Sequence, residues 1–234
     1  MLALEHLLLV QDDFRLTADW TVAPGERVAV IGPSGAGKST LLMAIAGFFA
    51  PTAGRMTWQG RDLGPVPPGE RPVSVLFQDQ NLFPHLTVER NLALGLTTRA
   101  RLTAEEQGRI ARVLARVGLE GMGVRRPAEL SGGQMGRAAL ARALLRARPV
   151  LLLDEPFAAL GPALKAGMVA LVNEVADETG ALVLMVTHDP NDARAMGRTV
   201  LVADGVAHAP ADTAALFADP PAALRDYLGT PPRQ

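Results

Sequence analysis

Cysteine is absent from the 234 residues, which excludes a disulfide framework and a thiolate metal site and fits a reducing compartment. Lysine is scarce: Lys38 and Lys165 are the two among 23 basic residues. An excess of either charge is also missing. With a formal net charge of −1, nothing draws the chain as a whole to nucleic acid or to an anionic membrane surface, and nucleic acid is not an expected partner. Long apolar runs are lacking too. Residues 150–153 and 181–186 are among the longest, against the roughly 18 to 20 residues a bilayer crossing needs. The apolar start, residues 1–10, carries Glu5 and has neither a basic leader nor a small-residue cleavage site, so it reads as a first strand rather than a signal peptide.

What is present describes a globular protein. Hydrophobic residues make up 48% and charged residues 20%, enough apolar mass for a core in one domain or two closely packed lobes. Short strands are expected over residues 1–31, broken at Pro24-Gly25-Glu26 and closing on a buried strand at 27–31. Helical spacing follows over 39–49, ended by turn residues at 51–54, and a β-rich portion continues to about Gln78. Between 84 and 148 Ala, Arg, Glu and Leu dominate, with helical spacing over 104–117 and 134–147. Strand signals return at 150–153, 181–186 and 199–202 with a helix between the first two, the alternation of a parallel α/β sheet. A helical tail rich in Ala and Pro ends the chain.

Gly32-Pro33-Ser34-Gly35-Ala36-Gly37-Lys38-Ser39-Thr40 fits G-x-x-x-x-G-K-[ST] between an expected strand and an expected helix, the context that makes this pattern a phosphate-binding loop. Its glycines let backbone N–H groups converge on phosphate oxygens, and the helix points its positive end at the same anion. Lys38 adds a point charge between the β- and γ-phosphates, and Ser39 offers a hydroxyl to Mg²⁺. Farther on, an apolar strand ends abruptly in Asp154-Glu155. Beside a phosphate site, Asp154 suits Mg²⁺ and Glu155 suits a general base acting on water; the plainer reading is two acids that open a surface loop. His188 emerges from another apolar strand at the same sheet edge, where it can orient water and Glu155 or serve only a structural purpose. Gln78, at a further strand end, can touch Mg²⁺ or water.

Leu130-Ser131-Gly132-Gly133-Gln134 ahead of a helix resembles the signature of ABC ATPases, and five features stand in that family's order: the P-loop, Gln78, residues 130–134, Asp154-Glu155 and His188. The resemblance implies an α/β fold with a P-loop NTPase, RecA-like core, an N-terminal antiparallel β portion and an inserted α-helical subdomain. That is one ABC ATPase domain over 1–234, with 1–80 and 148–234 forming the nucleotide-binding core and 81–147 the helical subdomain. It implies ATP and Mg²⁺, and a second copy whose Ser131, Gly132, Gly133 and Gln134 cap the nucleotide. It also implies transmembrane permease subunits, indirectly a substrate-binding protein, and a peripheral position on the cytoplasmic face of the inner membrane. Gly47-Phe48, Arg71-Pro72-Val73-Ser74, Leu76-Phe77-Gln78 and His85-Leu86-Thr87-Val88 look similar to the ATPase subunits of bacterial importers, thiamine importers in particular. Importers of polyamines, iron or anions share much of this pattern. Residues 81–88 would border the groove that receives a permease helix, or else pack in the core.

Three departures from the family pattern carry expectations. Met135 and Gly136 follow the signature, and Gly136 is expected to weaken the start of that helix, by about 1 kcal/mol relative to Ala. Gly161 stands where the family has an aspartate, which predicts slower or less cooperative hydrolysis. Gln11 stands where an aromatic ring would stack on adenine, with Phe14 the nearest replacement and broader base selection the expected result. A nucleic-acid-directed ABC ATPase without a permease and a weakly catalytic nucleotide-binding regulator are the competing readings.

Overall fold

The structure, a computed structural model, describes residues 1–77, 82–97, 99 and 101–228. Strands β1 (Leu2–Gln11) and β2 (Phe14–Val22) form a long antiparallel hairpin rather than short strands, turning at Asp12-Asp13. The register of β1 slips between Leu4 and Leu7. There Gly54 backs onto the chain, and a Cβ on it would come within 2.3 Å of the His6 carbonyl oxygen, so no larger residue fits. After β3 (Arg27–Ile31) comes helix α1 (Lys38–Ala46). Strands β4 (Ala53–Trp58) and β5 (Arg61–Asp62) complete the antiparallel part, and β6 (Val73–Leu76) begins the far edge of the parallel part.

The expected helix over 39–49 stops earlier, because Gly47 takes a left-handed φ of 93° as its C-cap. The buried Arg71 then donates to the Ala44, Ile45 and Val66 carbonyls, each at 2.8 Å. A Cβ on Gly47 would lie 2.6 Å from Arg71 Nε. Two stretches far apart in sequence therefore form one device, a guanidinium closing the carbonyl end of α1. Residues 63–72, expected as β-rich, run as irregular turns, since Pro65, Pro67, Pro68 and Pro72 lack the N–H that a strand ladder needs.

Helices α2 (Val88–Ala93), α3 (Ala104–Arg116) and α4 (Gly132–Leu145) follow. Thr87 caps α2 by accepting from the Arg90 N–H, and Thr103 with Glu106 makes a capping box for α3. The buried Asn91 side chain clasps the loop before α2: its Oδ1 accepts from the Phe83 N–H at 2.7 Å and its Nδ2 donates to the Phe83 and Thr87 carbonyls. The remainder alternates as β7 (Val150–Asp154), α5 (Pro162–Thr179), β8 (Leu182–Val186), α6 (Pro190–Met196) and β9 (Arg198–Ala203). It ends in β10 (Val206–Ala207), β11 (Ala211–Asp212), α7 (Thr213–Ala218) and α8 (Ala222–Leu228).

Strand order is β5-β4-β1-β2-β10-β9-β3-β8-β7-β6, with β11 also on β9. From β9 to β6 neighbouring strands are parallel, and side-chain alternation splits the core in two. Ala29, Ile31, Leu151, Leu153, Val183 and Met185 face α4, α5 and α6. Val28, Val30, Leu152, Leu184 and Val186 face α1 and the antiparallel strands. The short β10 joins the two portions, parallel to β2 and antiparallel to β9. This mixed α/β architecture, with an antiparallel β portion at the N-terminus and helices inserted between β6 and β7, is the class expected from the sequence.

Candidate functional site

Parallel strands present their carboxyl ends along one edge, and ligands of such sheets bind there. At this edge β3 runs into Gly32, β7 ends at Asp154 and β8 leads to His188. Gly32 lies so close to β9 that a Cβ on it would meet the Val202 carbonyl oxygen at 2.0 Å. Gly37 takes φ 100° as the N-cap of α1 and makes no side-chain cap, which leaves the N–H groups of the first turn for an anion. Lys38 Nζ donates to the Gly32 and Pro33 carbonyls at 2.7 Å each, curling back over the loop it would share with a phosphate. Burial lowers the pKa of Lys38, against the opposing pull of Glu155 and Asp154.

Ser39 Oγ donates to Asp154 Oδ1 at 3.1 Å, bringing together two hard oxygen donors 115 residues apart in sequence. Asp154 is 8% exposed; burial raises its pKa, with the Glu155 charge adding and the Ser39 hydrogen bond and Lys38 opposing. Glu155 adopts φ 44°, a left-handed backbone that a non-glycine residue holds only under constraint from its surroundings. Its N–H donates to the Val186 carbonyl at 3.1 Å, and its carboxylate lies 3.4 Å from His188 Nδ1. Gly32, Ser34, Gly35, Gly37, Lys38, Ser39, Thr40, Glu155 and His188 line one open cavity of about 580 Å³. Pro33, Ala36 and Asp154 belong to the same loop and strand end. Gln78 lies outside the described residues.

Tyr227, Lys165, Thr187, Asp189 and Asp192 of this region escaped the sequence reading. Phe14, anticipated as a substitute ring, packs on Gly37, where a Cβ would come within 2.3 Å of its Cζ, and it lines the cavity together with Tyr227, the sole tyrosine. Behind His188, Lys165 Nζ bonds Asp189 Oδ2 at 2.9 Å and Asp192 Oδ2 at 3.0 Å. Thr187 Oγ1 donates to Asp192 Oδ2 at 2.5 Å and accepts from the Asp189 N–H at 3.1 Å. Asp189 in turn caps α6 ahead of Pro190, a helix-start pattern that the sequence displays. Lys165 had its own signal, as the second of two lysines.

Ser131 is the N-cap of α4: its hydroxyl accepts from the Gln134 N–H, and its own N–H donates to Gln134 Oε1 at 2.9 Å. This capping box secures the helix start that Gly136 was expected to weaken, and α4 runs unbroken through Gly136. Gly133 packs under Leu160, whose Cδ2 would lie 2.8 Å from a Cβ there. Among the described residues, none of 131–134 lines the phosphate cavity of its own chain.

A second cavity, of about 540 Å³, opens between α1 and the helical insert and is lined by Phe48, Phe77, Leu82, Phe83, Arg142 and Arg146 among others. Phe48 and Phe83 are 55% and 46% exposed, so residues 82–83 face a groove as well as a core. Among the described residues no helix is long and apolar enough to cross a membrane.

The description of the ABC transporter family matches residues 17–158. The thiamine import ATP-binding protein ThiQ of Cereibacter sphaeroides is 71% identical over 230 residues, covering 98% of this chain and all of that protein. Proteins of the same name from Ruegeria sp. and Yersinia pseudotuberculosis are 54% and 49% identical over 98% of the chain. Two dimeric structures of the ATP-binding cassette MJ0796 superpose with TM-scores of 0.80 and 0.81 at 29% identity, covering 91% of this chain and 99% of theirs; the first holds ADP and Pi.

Proposed function

The chain belongs to the ABC transporter family, and we propose that it is the ATP-hydrolysing subunit of a thiamine importer, working as two copies beneath transmembrane permease subunits. The observation that carries this reading is the convergence of the glycine loop, Asp154, Glu155 and His188 on one cavity, while the helix start at residues 131–134, which we take as a second anion site, lies elsewhere on the same chain. One triphosphate has no use for both within one copy. Two copies facing each other use both twice, and the dimeric state of the MJ0796 cassettes supports that arrangement.

In this reading the backbone N–H groups of residues 32–40 and the N-terminus of α1 hold the β- and γ-phosphates, and Lys38 exchanges its two carbonyl partners for phosphate oxygens. Ser39 and Asp154 would hold Mg²⁺, with Gln78 on the family's precedent. Their oxygen-only donor pair fits a cation that takes one or two protein ligands and completes its shell with phosphate and water. Bound Mg²⁺ would neutralise developing phosphate charge. Glu155, fixed in its unusual backbone, accepts the proton of the attacking water, and His188 at 3.4 Å orients both. Phe14 supplies the ring for the base end of the nucleotide. Ser131 and the glycines after it close the partner's terminal phosphate.

We further assign 81–147 as the helical subdomain, 1–80 and 148–234 as the core, and the Phe48–Phe83 cavity as the seat of a permease helix. Peripheral attachment at the cytoplasmic face of the inner membrane and an indirect link to a substrate-binding protein follow from such a seat. Thiamine as cargo rests on the near full-length similarity to thiamine import ATP-binding proteins. The test is ATP turnover by the chain reassembled with its permease. Thiamine-loaded binding protein is expected to stimulate it, and Glu155→Gln to reduce it by about a hundredfold or more while ATP still binds. Stimulation by a polyamine or iron instead would refute the cargo, and full turnover in the Glu155 variant would refute the mechanism.

A further inference from the structure

Resting on the ATP-binding reading above, we propose that the Tyr227 hydroxyl is a hydrogen-bond donor to the terminal phosphate of the bound nucleotide, so that the C-terminal helix α8 senses whether that phosphate is present. Leu224, fully buried, roots α8 in the core beside α7, and the ring of Tyr227 packs on the same cluster. Its other side lines the cavity shared by Gly35, Lys38, Glu155 and His188. The phenolic oxygen is itself buried and has no hydrogen-bond partner among the described residues. Burial first, then the Glu155 and Asp189 charges, raise the pKa of Tyr227, so the group stays protonated and can only gain from an acceptor.

A buried donor without a partner is a standing cost that a phenylalanine would avoid. Packing accounts for the ring and leaves the hydroxyl unexplained. An anionic acceptor delivered with the ligand explains it, and the cavity that Tyr227 shares with Glu155 and His188 assigns that acceptor to the hydrolysis end. No other part of the chain contributes a tyrosine, so a single label reads this one residue.

With 3-fluorotyrosine incorporated, the lone fluorine resonance is expected to move on binding a non-hydrolysable ATP analogue and to stay close to its free position with ADP. Tyr227→Phe, which keeps the ring, is expected to weaken the analogue about tenfold relative to ADP, with ADP affinity unchanged and the nucleotide-free melting temperature equal or higher. Identical fluorine shifts with both nucleotides, or an analogue-to-ADP affinity ratio unaltered by Tyr227→Phe, overturns the proposal while leaving the ATP reading intact. Failure of the wild-type chain to bind either nucleotide would overturn both.

Discussion

Asp154 shows what a single buried carboxylate costs. Its carboxylate is buried at a strand end, with its pKa raised chiefly by that burial, so without a cation the charged form is held at the expense of folding. Asp154→Asn keeps an oxygen for the Ser39 hydroxyl and removes the charge. The nucleotide-free chain is expected to melt at a higher temperature while Mg²⁺-dependent turnover is lost; calorimetry and a phosphate-release assay on the same preparation check both halves. Gly161 offers the opposite case. It caps α5 at φ −67°, ψ 157° without a side-chain bond, and a Cβ there meets nothing within 4 Å. Gly161→Asp is therefore expected to stabilise by a few tenths of a kcal/mol through capping and, if the missing aspartate slows the pair, to raise turnover. A higher melting temperature with unchanged turnover would confine the residue to capping. At this scale the phosphate loop, the strand-end acids and the signature stood out in the sequence because each is a short contiguous pattern, and His188 because it follows an apolar strand to the same edge. Tyr227 and Lys165 were not, because their meaning lies in partners tens of residues away.

Between elements, Lys165 joins the first turn of α5 to the loop that carries His188 and to α6. The lysine side chain is 13% exposed and that of Asp192 8%, so removing the cation strands the Asp192 carboxylate with little solvent to replace it. Lys165→Met is expected to destabilise the fold by about 2 kcal/mol. The pH dependence follows from both partners. Asp189 is held below its ordinary value of 3.8, first by the Lys165 hydrogen bond, so its contribution is present above about pH 4 and fades as pH falls through the depressed value. Burial acts to lower the pKa of Lys165, but its bonds to Asp189 and Asp192 outweigh this and hold it above 10.5, so its contribution is complete below about pH 10 and fades as pH rises through the elevated value. The gap in melting temperature between wild type and Lys165→Met is thus expected to be widest from about pH 5 to about pH 10 and to narrow toward pH 3. A gap constant across that range would show that the ion pair is not its source. Helices were legible where apolar spacing and caps agreed, as in α3. The long β1–β2 hairpin was hidden by the register slip at Glu5-His6, which breaks the alternation that a strand is read from.

Taken whole, the molecule is a mixed sheet whose parallel strands β7 and β8 are buried on both faces; its carboxyl edge gathers the phosphate loop, Asp154, Glu155 and His188, while α4 starts at Ser131 away from that cavity. The sequence order of the parts named the family, yet only the geometry distinguishes a cavity lined by residues 32–40, 155 and 188 from a helix start at 131 that lines none of it. The proposed second copy, in keeping with the dimeric cassettes that this chain resembles, would let the helix start at 131 serve a twin's nucleotide. Light scattering on the Glu155→Gln chain, in which hydrolysis cannot dissolve the pair, tests this most directly. With Mg²⁺ and ATP the mass is expected to double, to stay single with ADP, and to stay single with ATP when Ser131→Arg is added, although each copy still binds nucleotide. A mass that remains single at saturating ATP, or that doubles equally well with the altered residue 131, would contradict the account.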